Sequence, residues 1–402
     1  KPTKAREKVS NSLRRTMSES KTIECYSRDA TFVSWNMEDF PMPCNVDPHW
    51  IADNIKEALY KMGFNGEVEI AAYGDHKQDE ELEREMVHAR IVPSSIHERG
   101  DSSPAYRIPL EMILNSSSSN FWVIAKQRPG LGELHRVQEC LKARNQTVLV
   151  VDDTAQEIDF DSEESLVECT RLLGGGKPIR KRFRNFDSKK LEMEEEEDLS
   201  KKLDLDLEEE DIYKIVNFSE PMIPHLKEVN RFIFWDVVDC PFPKCQNPDD
   251  IYHKIDKALC DRGVVGGDLS IWAYVDDENN GSWSSDEYLR QKTWKTRIYF
   301  LPGGASRRNR MLNDMLLVAI DTRDALFSRP VPLTRTPLTR TMVFSDQFKE
   351  GTYFFQMLRN LHHRILNNIC LVTPTQHLNK PERPEWPALL LDEGPLFFHF
   401  MD

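Results

Sequence analysis

Trp35-Asn-Met-Glu-Asp-Phe-Pro-Met-Pro43 recurs two hundred residues later as Trp235-Asp-Val-Val-Asp-Cys-Pro-Phe-Pro243. The match continues downstream: Ile51, Ile55, Ala58, Leu59 and Gly63 correspond to Ile251, Ile255, Ala258, Leu259 and Gly263. Ile70-Ala-Ala-Tyr73 then corresponds to Ile271-Trp-Ala-Tyr274. Two copies this far apart indicate a duplicated domain rather than a solenoid, whose repeats run roughly 20–50 residues. Each copy alternates short apolar runs with helical patterns. In the second the runs fall at 232–235, 270–275, 297–301, 342–344 and 369–372. In the first they fall at 32–35, 69–73, 121–125 and 147–151. Continuous apolar strands are buried on both faces, as in a parallel sheet covered by helices. The expected fold is therefore α/β: two Rossmann-like domains, each a mainly parallel sheet between helices.

The segment between the copies has a different composition. From Glu192 to Asp211 twelve acids stand against two lysines, so this stretch carries −10 of the chain's net −14. With no aromatic residue it cannot bury enough apolar surface to offset ordering entropy, and it reads as a solvated linker. Before it, Gly174-Gly-Gly-Lys-Pro-Ile-Arg-Lys-Arg-Phe-Arg184 is either a phosphate- or import-type basic patch or a linker neutralised by the acids that follow. The expected layout is an N-terminal segment 1–28, a first domain 29–158, a linker 159–228, a second domain 229–376 and an extension 377–402. The eight cysteines form no C-x-x-C pair, which fits a reducing compartment better than a disulfide framework or zinc ribbon. No run approaches the roughly 18 apolar residues of a membrane span. An intracellular protein of cytoplasm or nucleus is expected.

In parallel sheets ligands bind beyond the carboxyl ends of the strands. In the second copy those ends carry Asp236, Asp276-Asp277 and Ser345-Asp346, and a helical stretch before the fourth strand adds Asp314 and Asp321. Carboxylates converging on one edge repel unless a cation neutralises them, and all-oxygen donors suit magnesium or manganese. Such an ion can activate water for phosphodiester cleavage. Asp314 and Asp321 are seven residues apart on one helix face, roughly 10 Å along the axis, so they do not share one ion. Asp314 is the better candidate. The stretch Pro302-Gly-Gly-Ala-Ser-Arg-Arg-Asn-Arg310 offers Arg307, Arg308 and Arg310 to an RNA phosphate.

The Trp-Asp-x-x-x-x-Pro-x-Pro text, the Asp-Met-Leu-Leu-x-Ala-x-Asp helix and the Ser-Asp strand end resemble the NYN domain of limkain type. That family is related to PIN-like nucleases and is frequent in tandem form in plants. The resemblance covers nearly the whole chain apart from termini and linker. It implies a PIN-like fold, a Mg2+- or Mn2+-dependent endoribonuclease acting on single-stranded RNA, and a role in RNA turnover and regulation of gene expression; by family alone, a peroxisomal location is the alternative. The acids that match are Asp236, Asp314 and Asp346 as catalytic residues and metal ligands, with Asp276 as a further ligand. The chain departs from the family at Arg307-Arg308, where Ala-Ala-Asp is frequent, and at Ser345-Asp-Gln-Phe348, where Ser-Gly-Asp-x-Asp-Phe is frequent. Both departures lower the local negative charge.

The first copy departs further. Its alignment sets Asn36 at Asp236, Ile108 near Asp314, Asn115 near Asp321 and Lys126 at Asp346, so this domain is expected to be catalytically silent. The leading expectation is an endoribonuclease with a silent first domain. The alternative is a non-catalytic RNA-binding or scaffold protein made of two pseudo-nuclease domains.

Overall fold

The structure is a computed structural model and describes residues 26–43, 46–74, 80–95, 103–116, 118, 120–126, 132–152, 154–178, 218–222, 230–241, 246–261, 263–275, 293–303, 306–327, 339–348, 352–364, 368–372 and 396–397. In the first half the strands are β1 (Thr31–Asn36), β2 (Val68–Gly74), β3 (Ile91–Ser95), β4 (Asn120–Ile124), β5 (Thr147–Val151) and β6 (Thr170–Leu172). The helices are α1 (Pro48–Met62), α2 (Glu80–His88), α3 (Pro104–Leu114), α4 (Glu133–Ala143) and α5 (Glu163–Cys169). In the second half β7 (Asn230–Asp236), β8 (Leu269–Val275), β9 (Ile298–Pro302), β10 (Thr339–Phe344), β11 (Asn368–Val372) and β12 (Leu396–Phe397) go with α6 (Pro248–Asp261), α7 (Arg307–Phe327) and α8 (Tyr353–Arg364).

The duplication read in the sequence is a duplication of topology. The first sheet has the order β3-β2-β1-β4-β5-β6 and the second β12-β11-β10-β7-β8-β9, which is the same order read from the other edge. In both, five strands are parallel and the last to join is antiparallel. The fold is thus α/β with two Rossmann-like units. Gly63 and Gly263, set as helix ends in both copies, adopt φ of 95° and 76°, and their amides bond back to Tyr60 and Cys260. Glycine takes the left-handed conformation that closes a helix this way without the Cβ penalty most other residues meet.

Strand side chains alternate between two faces. In β1, Val33 and Trp35 face a core closed by α1, whereas Phe32 faces the opposite side. In β7, Ile233 and Trp235 face a second outer core, whereas Phe232 and Phe234 join Phe32 in one cluster. That shared cluster also takes Ile108, Ile113, Val137 and Leu141 from α3 and α4, and Met311, Met315 and Leu316 from α7. Every residue of α7 from 311 to 320 is buried. A helix buried all round must be covered on every side, and α7 is covered by its own sheet and by α3 and α4 of the other half. The halves therefore share a central core, and each keeps an outer core of its own.

The structure also revises the expected boundaries. α5 and β6 lie in chain assigned to the linker, yet β6 pairs with β5 and Leu166 is fully buried. At the other end of that segment Phe218 is buried, 5.0 Å from the Trp272 ring and 6.2 Å from the Phe234 ring. β12, in the expected extension, pairs with β11. β3 is unforeseen because it is short, carries Pro93 and forms the sheet edge, where proline is tolerated. The acidic run and the basic residues from 180 onward lie outside the described residues. Cys140 and Cys240 are buried free thiols, and Cys169 and Cys260 are free as well.

Candidate functional site

Between β1 and β4, and again between β7 and β10, strand order reverses. At such a switch point the flanking connections leave in opposite directions and open a crevice at the carboxyl ends. In the second half Asp236 ends β7 there, fully buried. Its Oδ1 accepts hydrogen bonds from the backbone amides of Val238 (3.0 Å) and Asp239 (3.2 Å) and from Nε of Arg307 (2.7 Å). Arg308 places Nε 3.8 Å from Oδ2, an oxygen that is buried with no hydrogen-bond partner. Burial raises the Asp236 carboxyl to about 6; Arg307 pulls against that rise and the neighbouring Asp239 charge adds to it.

Asp239 closes the crevice. Its Oδ2 accepts from the Ser345 hydroxyl (2.7 Å) and the Asp346 amide (3.3 Å), and its Oδ1 lies 3.4 Å from Nη2 of Arg308. Burial pushes this carboxyl up, but Ser345 and Arg308 outweigh burial and hold it below its ordinary value. Asp346 itself accepts from the Gln347 side chain. The strand-end reading overlooked Asp239, although the repeat carries Asp39 and Asp239 at matching places in its quoted text.

Asp314 has different company. It is fully buried, and Arg136 of α4 donates from Nη1 to its Oδ1 (2.7 Å) while Tyr274 donates its hydroxyl to Oδ2 (2.9 Å). Burial raises Asp314, and Arg136 works against the rise. Glu133 holds Arg136 on its other side at 2.6 Å and accepts from Asn313 at 2.9 Å. Asp321 is gripped by Arg144, with Nε and Nη2 each 2.7 Å from one carboxylate oxygen, and accepts the Met222 amide at 2.8 Å. Asp321 lies six residues short of the end of α7, and its counter-charge is the Arg144 guanidinium. Both α7 acids thus serve the junction between the halves.

The repeat can now be aligned by contacts. Trp35 Nε1 donates to the Phe40 carbonyl (2.8 Å) as Trp235 Nε1 donates to that of Cys240 (2.7 Å). Asn36 stands where Asp236 stands, with its amide bonded to Asp39 at 2.7 Å. Lys126 matches Asp346: its backbone amide reaches Asp39 at 3.0 Å, as that of Asp346 reaches Asp239. The middle pairing is corrected. Tyr73 donates to Glu111 at 2.9 Å as Tyr274 donates to Asp314, and Arg107 precedes Glu111 by one turn as Arg310 precedes Asp314. Glu111, and not Ile108, is therefore the counterpart of Asp314. The first half has lost the strand-end acid and kept the helical one.

The proposed phosphate ligands are engaged internally. Arg307 and Arg308 hold Asp236 and Asp239, and Arg310 donates to the Pro302 carbonyl beside Asp314. Asp276 lies outside the described residues. His362 and His363 fall within α8, as their helical pattern suggests. Among the described residues no group of three or more His, Cys, Asp or Glu side chains is arranged to hold a metal ion. Asp236 and Asp239 are hard oxygen donors of the kind magnesium and manganese prefer, but guanidinium groups stand against both. As arranged, these residues do not fit a divalent ion.

A third feature was not legible in the sequence. A cleft of about 370 Å³ opens at the first switch point, lined by Asn36, Asp39, Tyr106, Lys126, Gly132 and His135 among others, with Ser306 of the second half on its wall. α3 and α4 both begin at it, and neither N-cap residue, Ser103 or Gly132, bonds the first turn with its side chain. His135 Nδ1 is buried without a hydrogen-bond partner.

No family model, curated protein or solved structure matches this chain.

Among the described residues no helix is long and apolar enough to cross a membrane. The raised carboxyl of Asp236 gives a testable pH dependence. An acid whose folded value (about 6) exceeds its ordinary value (3.8) binds protons more tightly when folded, so its contribution to stability is present below about pH 4 and lost as pH rises through 6. The stability of the wild type minus that of Asp236→Asn should therefore fall by about 1–3 kcal/mol between pH 4 and pH 6.5. Paired urea titrations at several pH values read this difference, and a flat or rising one refutes the assignment.

Proposed function

We propose that this chain is a non-cleaving, RNA-associated protein built from two NYN-like domains, with the cleft of the first half as its ligand site. The observation that carries this reading is the commitment of the second half's acids: Asp236 to Arg307, Asp314 to Arg136 and Asp321 to Arg144. Metal-dependent hydrolysis of a phosphodiester needs the carboxylates to gather around a cation, and here each has a guanidinium of its own. Binding needs less. Uncapped first-turn amides and a lysine favour an anion. Lys126, His135 and Tyr106 supply charge, hydrogen bonding and a ring to the same cleft, whose wall also carries Glu38, and Asp39 and Glu133 bonded to Asn36 and Arg136. A single-stranded RNA phosphate with an adjoining base fits that chemistry.

Fluorescence polarisation with labelled single-stranded RNA tests the proposal. Lys126→Ala should weaken binding and reduce the dependence of affinity on salt by about one phosphate contact. The wild type should leave the RNA uncut in manganese. An unchanged salt slope in Lys126→Ala removes the first-half cleft as the site.

A second reading, a metal-dependent endoribonuclease acting in RNA turnover, draws on one observation. Asp236 and Asp239 meet at the second switch point, and Oδ2 of Asp236 is buried and unbonded. Manganese-dependent cleavage by the wild type, abolished in Asp236→Asn, would favour it over the first reading.

A further inference from the structure

We propose that Arg307 and Arg308 are the resident cations of the second switch point, and that their removal uncovers a divalent-metal site formed by Asp236, Asp239 and the Ser345–Asp346 strand end. This deepens the proposed function by naming what keeps that crevice from taking a metal, and rests on that reading for the placement of the crevice.

The geometry points to a fitted substitution of guanidinium for metal. Arg307 is largely covered, with its side chain 11% exposed, and directs Nε at a carboxylate that is itself fully buried. Arg308 spans Asp236 and Asp239 with its Nε and Nη2. Two positive charges thus face two carboxylates, Asp236 bonded to the amides of Val238 and Asp239 and Asp239 bonded to Ser345 and the Asp346 amide, and each acid would otherwise be a charge withdrawn from water. An uncompensated buried carboxylate is strongly unfavourable, so the crevice needs some cation.

Gly303 is what allows the first turn of the Arg307 helix to pack where it does. A Cβ placed on Gly303 would lie 2.7 Å from Cβ and Cγ of Arg307 and 2.9 Å from its Cα. Those contacts are closer than folded proteins allow, and one is to the backbone. The absent side chain at 303 is what lets the first turn of α7 sit against the end of β9, where Gly303 donates to the Val275 carbonyl at 2.9 Å.

The duplicate half acts as an internal control. α3 begins at Pro104 where α7 begins at Arg307, and the Arg107–Glu111 and Arg310–Asp314 pairs lock that alignment. Pro104 and Ala105 therefore stand at Arg307 and Arg308. In the half where the strand-end acid is Asn36, both arginines are missing; in the half where it is Asp236, both are present. The acid and its cations are gained or lost together, as a charge-compensated set. By contrast Asp39 and Asp239 persist in both halves, because each also accepts the backbone amide of the facing loop.

The test uses the whole chain and Mn2+ alone as the probe. Arg307→Gln/Arg308→Gln should melt about 6–12 °C below the wild type without metal, and millimolar Mn2+ should recover several degrees of that loss. The wild type should show no Mn2+ response. Adding Asp236→Asn to the double variant copies the first half; this triple variant should melt near the wild type and ignore Mn2+. Gly303→Ala, which displaces Arg307 while keeping its charge, should give a weaker Mn2+ response of the same sign. Should the double variant fail to fold, folding of the triple variant would still identify the Asp236 charge as the cause. A double variant that melts with the wild type, a triple variant no better than the double, or an equal Mn2+ response in the wild type overturns the proposal. RNA cleavage by the wild type would instead overturn the proposed non-cleaving function, so the two can fail separately.

Discussion

Arg136→Met is expected to destabilise the protein by about 3–5 kcal/mol, the cost of removing one partner from a buried ion pair. Asp314 is fully buried and receives Arg136 at 2.7 Å, so the substitution leaves its charge with the Tyr274 hydroxyl and with Arg310, whose Nε is 4.0 Å away. Glu133 loses its main counter-charge in the same step. The effect should arise in the second half although the substitution lies in the first. Denaturant melts of Arg136→Met, Asp314→Leu and the double variant separate the pair from simple packing. The double variant should be more stable than Arg136→Met alone, because apolar groups in a buried site require no partner. If Arg136→Met melts like the wild type, Asp314 does not depend on the first half.

The second expected result is larger. Residues 218–402 produced alone should lack a cooperative melt at neutral pH and bind an apolar dye, and adding residues 26–178 should restore both properties to normal. The two sheets share a cluster in which Ile108, Ile113 and Leu141 pack with Met311, Met315 and Leu316. Separation exposes that face of α7 and strips Asp314 and Asp321 of Arg136 and Arg144. Exposed apolar surface costs about 25 cal/mol per Å², and the two orphaned acids add to it. Proteolysis within the acidic segment should accordingly yield two fragments that remain associated through purification. An isolated second half that melts cooperatively near the temperature of the intact chain would refute the shared core.

Much of this architecture is written locally. The repeated Trp-to-Pro text, the matched Ile, Ala and Leu stripes of α1 and α6, and Gly63 and Gly263 at their ends announce a duplicated α/β unit before any coordinate is known. Periodicity and helix-end chemistry act over a few residues, so the sequence alone carries them. The strand-end positions of Asp236 and Asp346, and their matches at Asn36 and Lys126, follow from the same local logic, and the contacts to Asp239 and Asp39 agree with it.

What the local pattern could not contain is which distant charge meets which. Asp236, Asp314 and Asp321 are alike in sequence: an acid at a strand end or on a helix. Tertiary structure gave them separate partners, Arg307 from the same half and, from the other, Arg136 of α4 and Arg144 at its C-cap. It also made Glu111 the counterpart of Asp314, since equivalence there is defined by Tyr73 and Tyr274 reaching across from β2 and β8. A carboxylate's role depends on the charge within a few ångströms of it, and Coulomb's law takes no account of sequence separation. The sequence by itself determined two α/β units and where their crevices lie; only the packing of α7 against α3 and α4 decided that the acids between them would neutralise arginines.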